Sequence, residues 1–237
     1  MYNINEGLLI HLFPEGIPVL AYFASLFVVL LVSYLLGSIN SAILISKVVY
    51  KDDIRKHGSG NGGMTNMLRT FGGKAALMTL AGDLLKTALS ICIAAIPFGF
   101  WYVGGLSVQG VCYFAGLFAV LGHIFPLYYR FKGGKGVLVT STMALILSPI
   151  PFLILFALFV VVVAMSKYVS LGSVCVAVLY PVVLHGLFTF RGTQIDGLIA
   201  LASIILACLI VWCHRENLKR ISERTERKLS FKKKKDD

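Results

Sequence analysis

The chain has 237 residues, 57% of them hydrophobic and only 14% charged, with a mean hydropathy of +0.83 and a formal net charge of +11. A soluble domain of this length could not bury that much apolar surface, whereas a bilayer could, so composition excludes an ordinary soluble enzyme. All five cysteines lie in apolar stretches without CxxC or Cys/His spacing, which excludes a zinc site and leaves them to packing.

A membrane span needs about 20 apolar residues. Seven apolar segments are expected, at 17–37, 75–98, 106–129, 137–147, 149–165, 169–190 and 195–213. Residues 1–16 read as a short external, interfacial lead. The first cation is Lys47, after the first apolar segment, so no signal peptide is expected. The first span runs on through Ser38-Ile39-Asn40-Ser41-Ala42 into a less apolar helix ending near Tyr50. Residues 51–74 form the longest polar loop, and the second span carries Asp83 and Lys86. The fourth segment is too short for an ordinary crossing. It reads as a half-helix, or as one irregular element with the Pro149 and Pro151 break, buried by protein. From His214 the chain is helix-like with mixed charges. Its basic end, 219–237, reads as a solvated anchor beside anionic headgroups.

Basic residues fall between Lys47 and Lys74, Arg130 and Lys135, at Lys167, and between Arg215 and Lys235. The loops at 99–105 and 148–151 carry no charge. Lys and Arg mark the cytoplasmic side of short loops. Alternate loops therefore give an all-α inner-membrane protein with seven spans, its N-terminus out and its C-terminus in, and its glycine-rich loops in the cytoplasm.

Four polar features carry chemistry. Gly58-Ser59-Gly60-Asn61-Gly62-Gly63-Met64-Thr65-Asn66 combines open backbone with small neutral donors, a composition that can wrap a phosphate, and Arg69 follows at helical spacing. Phe131-Lys132-Gly133-Gly134-Lys135-Gly136 combines open backbone with two cations. No Ser or Thr follows the Gly-Lys pair, so it is not an ATP-binding P-loop. His123 precedes this loop by a few turns. Asp83 and Lys86, three apart, share a helix face inside the membrane, either as a mutual ion pair or with Lys86 lending charge to a site. His214 and Asn217 share a face just inside the last span, as a helix cap or as a clamp. Paired carboxylates are nearly absent, which argues against glycosidase chemistry and magnesium-dependent phosphotransfer.

Gly58–Arg69, Gly122–Gly136 and His214–Asn217 together resemble the bacterial acyl-phosphate:glycerol-3-phosphate acyltransferases, the PlsY family. The resemblance runs from Gly37-Ser38 to about Glu226. The first motif departs from the family pattern Gly-Asn-Pro-Gly-Ala-Thr-Asn at Gly62 and Met64. The resemblance implies a single membrane-embedded acyltransferase domain over 1–237, moving a fatty acyl group from acyl phosphate to the 1-hydroxyl of glycerol 3-phosphate. It implies catalytic roles for Lys135, His123, His214 and Asn66. It implies substrate binding by Ser38, Ser59, Gly60, Asn61, Thr65, Arg69, Lys86, Lys132, Gly133, Gly134, Ser170 and Asn217. No metal, cofactor or nucleic acid is expected. The expected partners are the two substrates, membrane lipid and the soluble enzyme that makes acyl phosphate. A transporter or channel for a phosphorylated anion is the alternative reading of the same glycines and cations.

Overall fold

A computed structural model describes residues 19–100 and 107–229. Among them the order is α1 Val19–Ser38, α2 Ser41–Val48, α3 Met64–Phe71, α4 Gly73–Phe100, α5 Val108–Ile124, α6 Val137–Leu147, α7 Pro149–Ser166, α8 Val169–Phe190, α9 Gly197–Cys213 and α10 Arg215–Ser222. Short 3-10 turns occupy Ile54–Lys56 and Leu127–Tyr129. Each of the seven expected segments is helical over most of its described length, and there are no strands among the described residues.

The starts and stops follow local chemistry. Asn40 caps α2 by accepting from the Ile43 amide at 3.0 Å, Ser107 caps α5, and Asp196 caps α9 through the Leu198 amide at 2.7 Å. Pro149 opens α7 at a position where its missing N–H costs nothing. Ser148 breaks the chain between α6 and α7, so the two are separate helices and not one irregular element.

Among the described residues four helices are long and apolar enough to cross a membrane, and up to six spans result if two bent pairs each count as one. Those pairs are α1 with α2, bent by 42°, and α9 with α10, bent by 51°. α6 has 11 residues, a rise of about 16 Å, or half of a hydrocarbon core of about 30 Å. α5 is the central helix, with α1, α4, α6 and α9 packed on it. α1 and α5 approach backbone to backbone: a Cβ at Gly122 would collide with the Tyr34 carbonyl and the Ser38 amide. α7 lies outside, with Leu153, Ile154, Phe156, Val160 and Val161 exposed, and in water such a face would be unstable. Lipid covers it.

Candidate active site

The two glycine-rich loops are held together by a short backbone ladder. The Gly62 amide donates to the Gly133 carbonyl at 3.3 Å, Gly133 to Ile124 at 3.2 Å, and Gly134 to His123 at 3.0 Å. The buried amide of Asn66 shapes the first loop. Its Nδ2 donates to the carbonyls of Ile54, His57 and Asn61, and its Oδ1 accepts from the Ser59 amide, all within 3.0–3.2 Å. Asn40 holds the same loop from beneath, donating to the Gly62 carbonyl at 3.1 Å. Asn66 is thus fully engaged by backbone and acts as a template. The α3 N-terminus, at Gly63, has no side-chain cap.

These loops close the polar end of a cavity of about 860 Å³. Ser59, Asn61, Thr65, Asn66, Arg69, His123, Lys135, Ser170, His214 and Asn217 all line it, so ten of the expected residues meet at one place. Away from this polar end much of the wall is apolar, with Leu145, Phe152, Phe156, Val176, Tyr180 and Leu206 from α6 to α9.

Six expected residues are not on this wall. Gly60, Lys132 and Gly133 line a separate cleft with Arg55, Lys56 and Arg130. Ser38 is buried, donating to the Tyr34 carbonyl and accepting from the Leu127 amide, and so ties α1 to the end of α5. Gly134 sits against His123, where a Cβ would strike Nε2. Lys86 is buried behind the wall. Its ammonium lies 2.8 Å from Asp83 Oδ1, 3.3 and 3.1 Å from the Gly37 and Ile39 carbonyls, and 3.0 Å from His123 Nδ1. It satisfies the orphan carbonyls at the end of α1. Asp83, which also accepts from Ser41 Oγ at 2.9 Å, does reach the cavity.

The two histidines differ in what each ring can do. His123 Nδ1 faces the Lys86 ammonium, which can only donate, so Nδ1 accepts and Nε2 carries the proton. His214 Nδ1 lies 2.7 Å from the Ile210 carbonyl, which can only accept, so Nδ1 donates and the Nε2 lone pair is free.

Up to Leu229 the tail departs from the solvated reading, and its basic end at 230–237 lies outside the described residues. Residues 223–229 fold back over the cavity mouth, and Arg220, Thr225, Glu226, Arg227 and Leu229 line it. The Glu226 carboxylate accepts from Ser170 Oγ at 2.9 Å, Asn217 Nδ2 at 2.7 Å and Arg220 Nε at 2.8 Å. The Leu229 amide fastens the strap to the Lys167 carbonyl at 2.7 Å. Burial alone would raise the Glu226 carboxyl, but these three hydrogen bonds hold it below its ordinary range. The other face of Asn217, Oδ1, accepts from Lys135 Nζ. Burial pushes the Lys135 ammonium down to about 8, opposed by Glu226 and reinforced by Arg220 and Arg69. Arg220 and Glu226 carry no glycine or spacing signal. Their only mark in the sequence is their place among mixed charges after an expected helix.

A family model described as glycerol-3-phosphate acyltransferase matches residues 27–224. The glycerol-3-phosphate acyltransferase of Geobacillus kaustophilus (strain HTA426) is 42% identical over 203 residues, 86% of this chain and 95% of that protein. The Bacillus subtilis (strain 168) enzyme of the same name is 36% identical over 202 residues, covering 85% and 96%. Two crystal structures of PlsY, an integral membrane glycerol 3-phosphate acyltransferase, superpose with TM-scores of 0.74 for its glycerol 3-phosphate form and 0.72 for its lysophosphatidic acid form. Each is 31% identical and covers 87% of this chain and 96% of its own. With the match spanning the loops, the cavity and most of the helices, the chain belongs to the glycerol-3-phosphate acyltransferase family.

Proposed function

We propose that the chain transfers a fatty acyl group from acyl phosphate to the 1-hydroxyl of glycerol 3-phosphate, releasing lysophosphatidic acid and inorganic phosphate. One observation carries the reading: a single cavity has cations and small polar groups at one end and an apolar body running between helices. Such a space suits a substrate with an anionic head and a fatty tail, together with a second anion. In the reaction the hydroxyl oxygen attacks the acyl carbonyl carbon, a C–O bond forms, and the bond from that carbon to the phosphate oxygen breaks. The hydroxyl proton passes to His214 Nε2, and the phosphate leaves as an activated group, so no covalent enzyme intermediate is needed. The His123 Nε2–H serves the developing oxyanion. Lys135, Arg69 and Arg220 balance the phosphates, and Ser59, Thr65, Ser170 and Asn217 orient them. Lys132 and the glycines of the second cleft shape the loops from behind.

The chain acts as one membrane-embedded domain in the bacterial cytoplasmic membrane, its site facing the cytoplasm, where a soluble enzyme that makes acyl phosphate supplies the donor. Alternation supports seven crossings. The cavity's polar end meets the C-terminal ends of α5, α7 and α9 and the N-terminal ends of α6 and α8. The positive charge of the loops at that end supports the orientation. A locally thinned bilayer accommodates the short α6.

The test is purified protein in detergent with palmitoyl phosphate and glycerol 3-phosphate, followed by phosphate release and product analysis. Lysophosphatidic acid formed in step with phosphate is the expected result. Uptake of a phosphorylated anion into vesicles without any turnover would replace the enzyme reading with a transporter.

A further inference from the structure

Among the helices that line the cavity, α6, α7, α8 and α9 each stop contributing at nearly the same depth. The wall runs from Gly136 to Leu145 leading into and along α6, from Val163 to Phe152 on α7, from Ser170 to Tyr180 on α8, and from His214 to Leu206 leading back along α9. At about 1.5 Å per helical residue these intervals are about 14, 17, 15 and 12 Å. Beyond that level the space is filled. Leu184, the next turn of α8, is buried in the core, as are Ala202 and Ile199 on α9, and none of the three reaches the cavity. The floor is also braced. The Tyr180 hydroxyl lies 3.1 Å from Ser148 Oγ and donates to the Tyr113 hydroxyl at 3.3 Å, joining α8, the α6–α7 break and the central α5. A chain pushing past Tyr180 would break these buried hydrogen bonds and strip the Tyr180 and Tyr113 hydroxyls of these partners, while Ser148 Oγ keeps the Ala144 carbonyl.

Resting on the acyltransferase reading, we infer that Leu145, Phe152, Tyr180 and Leu206 form the closed floor of an acyl ruler. It admits saturated chains up to about one leaflet in length and rejects longer ones. One leaflet is half of a hydrocarbon core of about 30 Å, so about 15 Å of cavity matches the tail of an ordinary membrane lipid. Below the floor's limit each added methylene exchanges micelle or bilayer hydrocarbon for cavity wall and gains only packing contact, so affinity changes gently with length. Past the limit the next methylene must displace packed core, where overfilling destabilises. Selection by length is therefore steep on the long side and graded on the short side.

Two substitutions move the floor in opposite directions. Phe152→Ala deepens it. Ala177→Leu raises it, because Ala177 lines the cavity one turn above Tyr180, a shortening of about 4.5 Å. The experiment measures kcat/KM of the purified enzyme for saturated acyl phosphates from C8 to C20, held at constant mole fraction in mixed micelles, with glycerol 3-phosphate saturating. The ruler requires the wild-type optimum to be followed by a drop of at least tenfold within a few methylenes. It requires that optimum to move to longer chains in Phe152→Ala and to shorter chains in Ala177→Leu. If one variant does not fold, the shift in the other decides. A chain-length profile that is flat, or unmoved in a folded and active variant, overturns the ruler and leaves the acyltransferase reading intact. Absence of turnover by the wild type at every length overturns that reading, and the ruler with it.

Discussion

His123 and His214 share one cavity but present opposite ring edges to it, because one leans on an ammonium and the other on a carbonyl. The roles assigned to them separate under one kind of substitution. Glutamine keeps an N–H donor but cannot take up a proton. His123→Gln is therefore expected to keep kcat within about tenfold, while His214→Gln loses the 10²–10⁴-fold that a general base contributes, read from steady-state phosphate release. Lys135 gives a second expectation. Its charge is needed for phosphate, so Lys135→Ala abolishes transfer without loss of expression. With the ammonium pushed down to about 8, kcat/KM for glycerol 3-phosphate falls as pH rises through that value, since the charged form is lost. Lys135→Arg moves the falling limb upward, because guanidinium stays protonated to pH of about 12 or above. A limb at the same pH in both proteins would remove Lys135 from this role. At this scale the sequence was informative wherever a polar residue interrupts an apolar or glycine-rich run, as with Arg69, Lys135 and Asn217. It misled at Lys86. Spacing puts Asp83 and Lys86 on one face of a helix, but which neighbour that face meets is a tertiary fact. Here the neighbour is the end of α1, whose carbonyls take the ammonium.

The strap of residues 223–229 is the element that pattern reading could not reach. Glu216, Glu223 and Glu226 are equivalent as sequence, three acids among many bases, and it is the turn after Ser222, left-handed at Arg224, that brings Glu226 back over the site. Its fastening is mostly Glu226, so the carboxylate can be tested through the strap. In Glu226→Ala, trypsin is expected to cut after Arg224 and Arg227 at least several-fold faster than in the wild type. The KM for glycerol 3-phosphate should rise about tenfold as Asn217 and Arg220 lose their partner, consistent with about 1.5–3 kcal/mol for hydrogen bonds to a charged group. Equal cleavage rates would mean that the Leu229–Lys167 bond holds the strap without Glu226. The apolar helices, by contrast, were legible to within a few residues, because a lipid-facing helix must be apolar along its length and each break in that run carries a Pro, a Gly or a capping side chain.

For the whole molecule, the proposed seven-span topology makes a directional prediction. In a background lacking the five native cysteines, Thr193→Cys, between α8 and α9, should react with a membrane-impermeant maleimide on intact cells. Ser222→Cys should react only after permeabilisation. The reverse labelling pattern would invert the orientation and move the site to the far side. The overall helical architecture could be read from composition alone, because only a bilayer accommodates so much apolar surface. The depth of the cavity could not, because it depends on four helices ending their contribution together, and no one helix encodes that.

The fold-back of Glu226 also has a consequence in time. The first loop of the site is complete at Asn66, yet the carboxylate that fastens the mouth is made 160 residues later. At translation rates of about 5–20 residues per second, the early loop waits about 8–32 s for its last partner. Through that interval α1 to α9 can already lie in lipid while the mouth of the cavity has no strap across it. A membrane crowded with ribosomes thus carries a standing population of nascent chains that are inserted and have not yet closed their sites. Closure of the site therefore waits on the segment after α10, which is made later than His214 and Asn217.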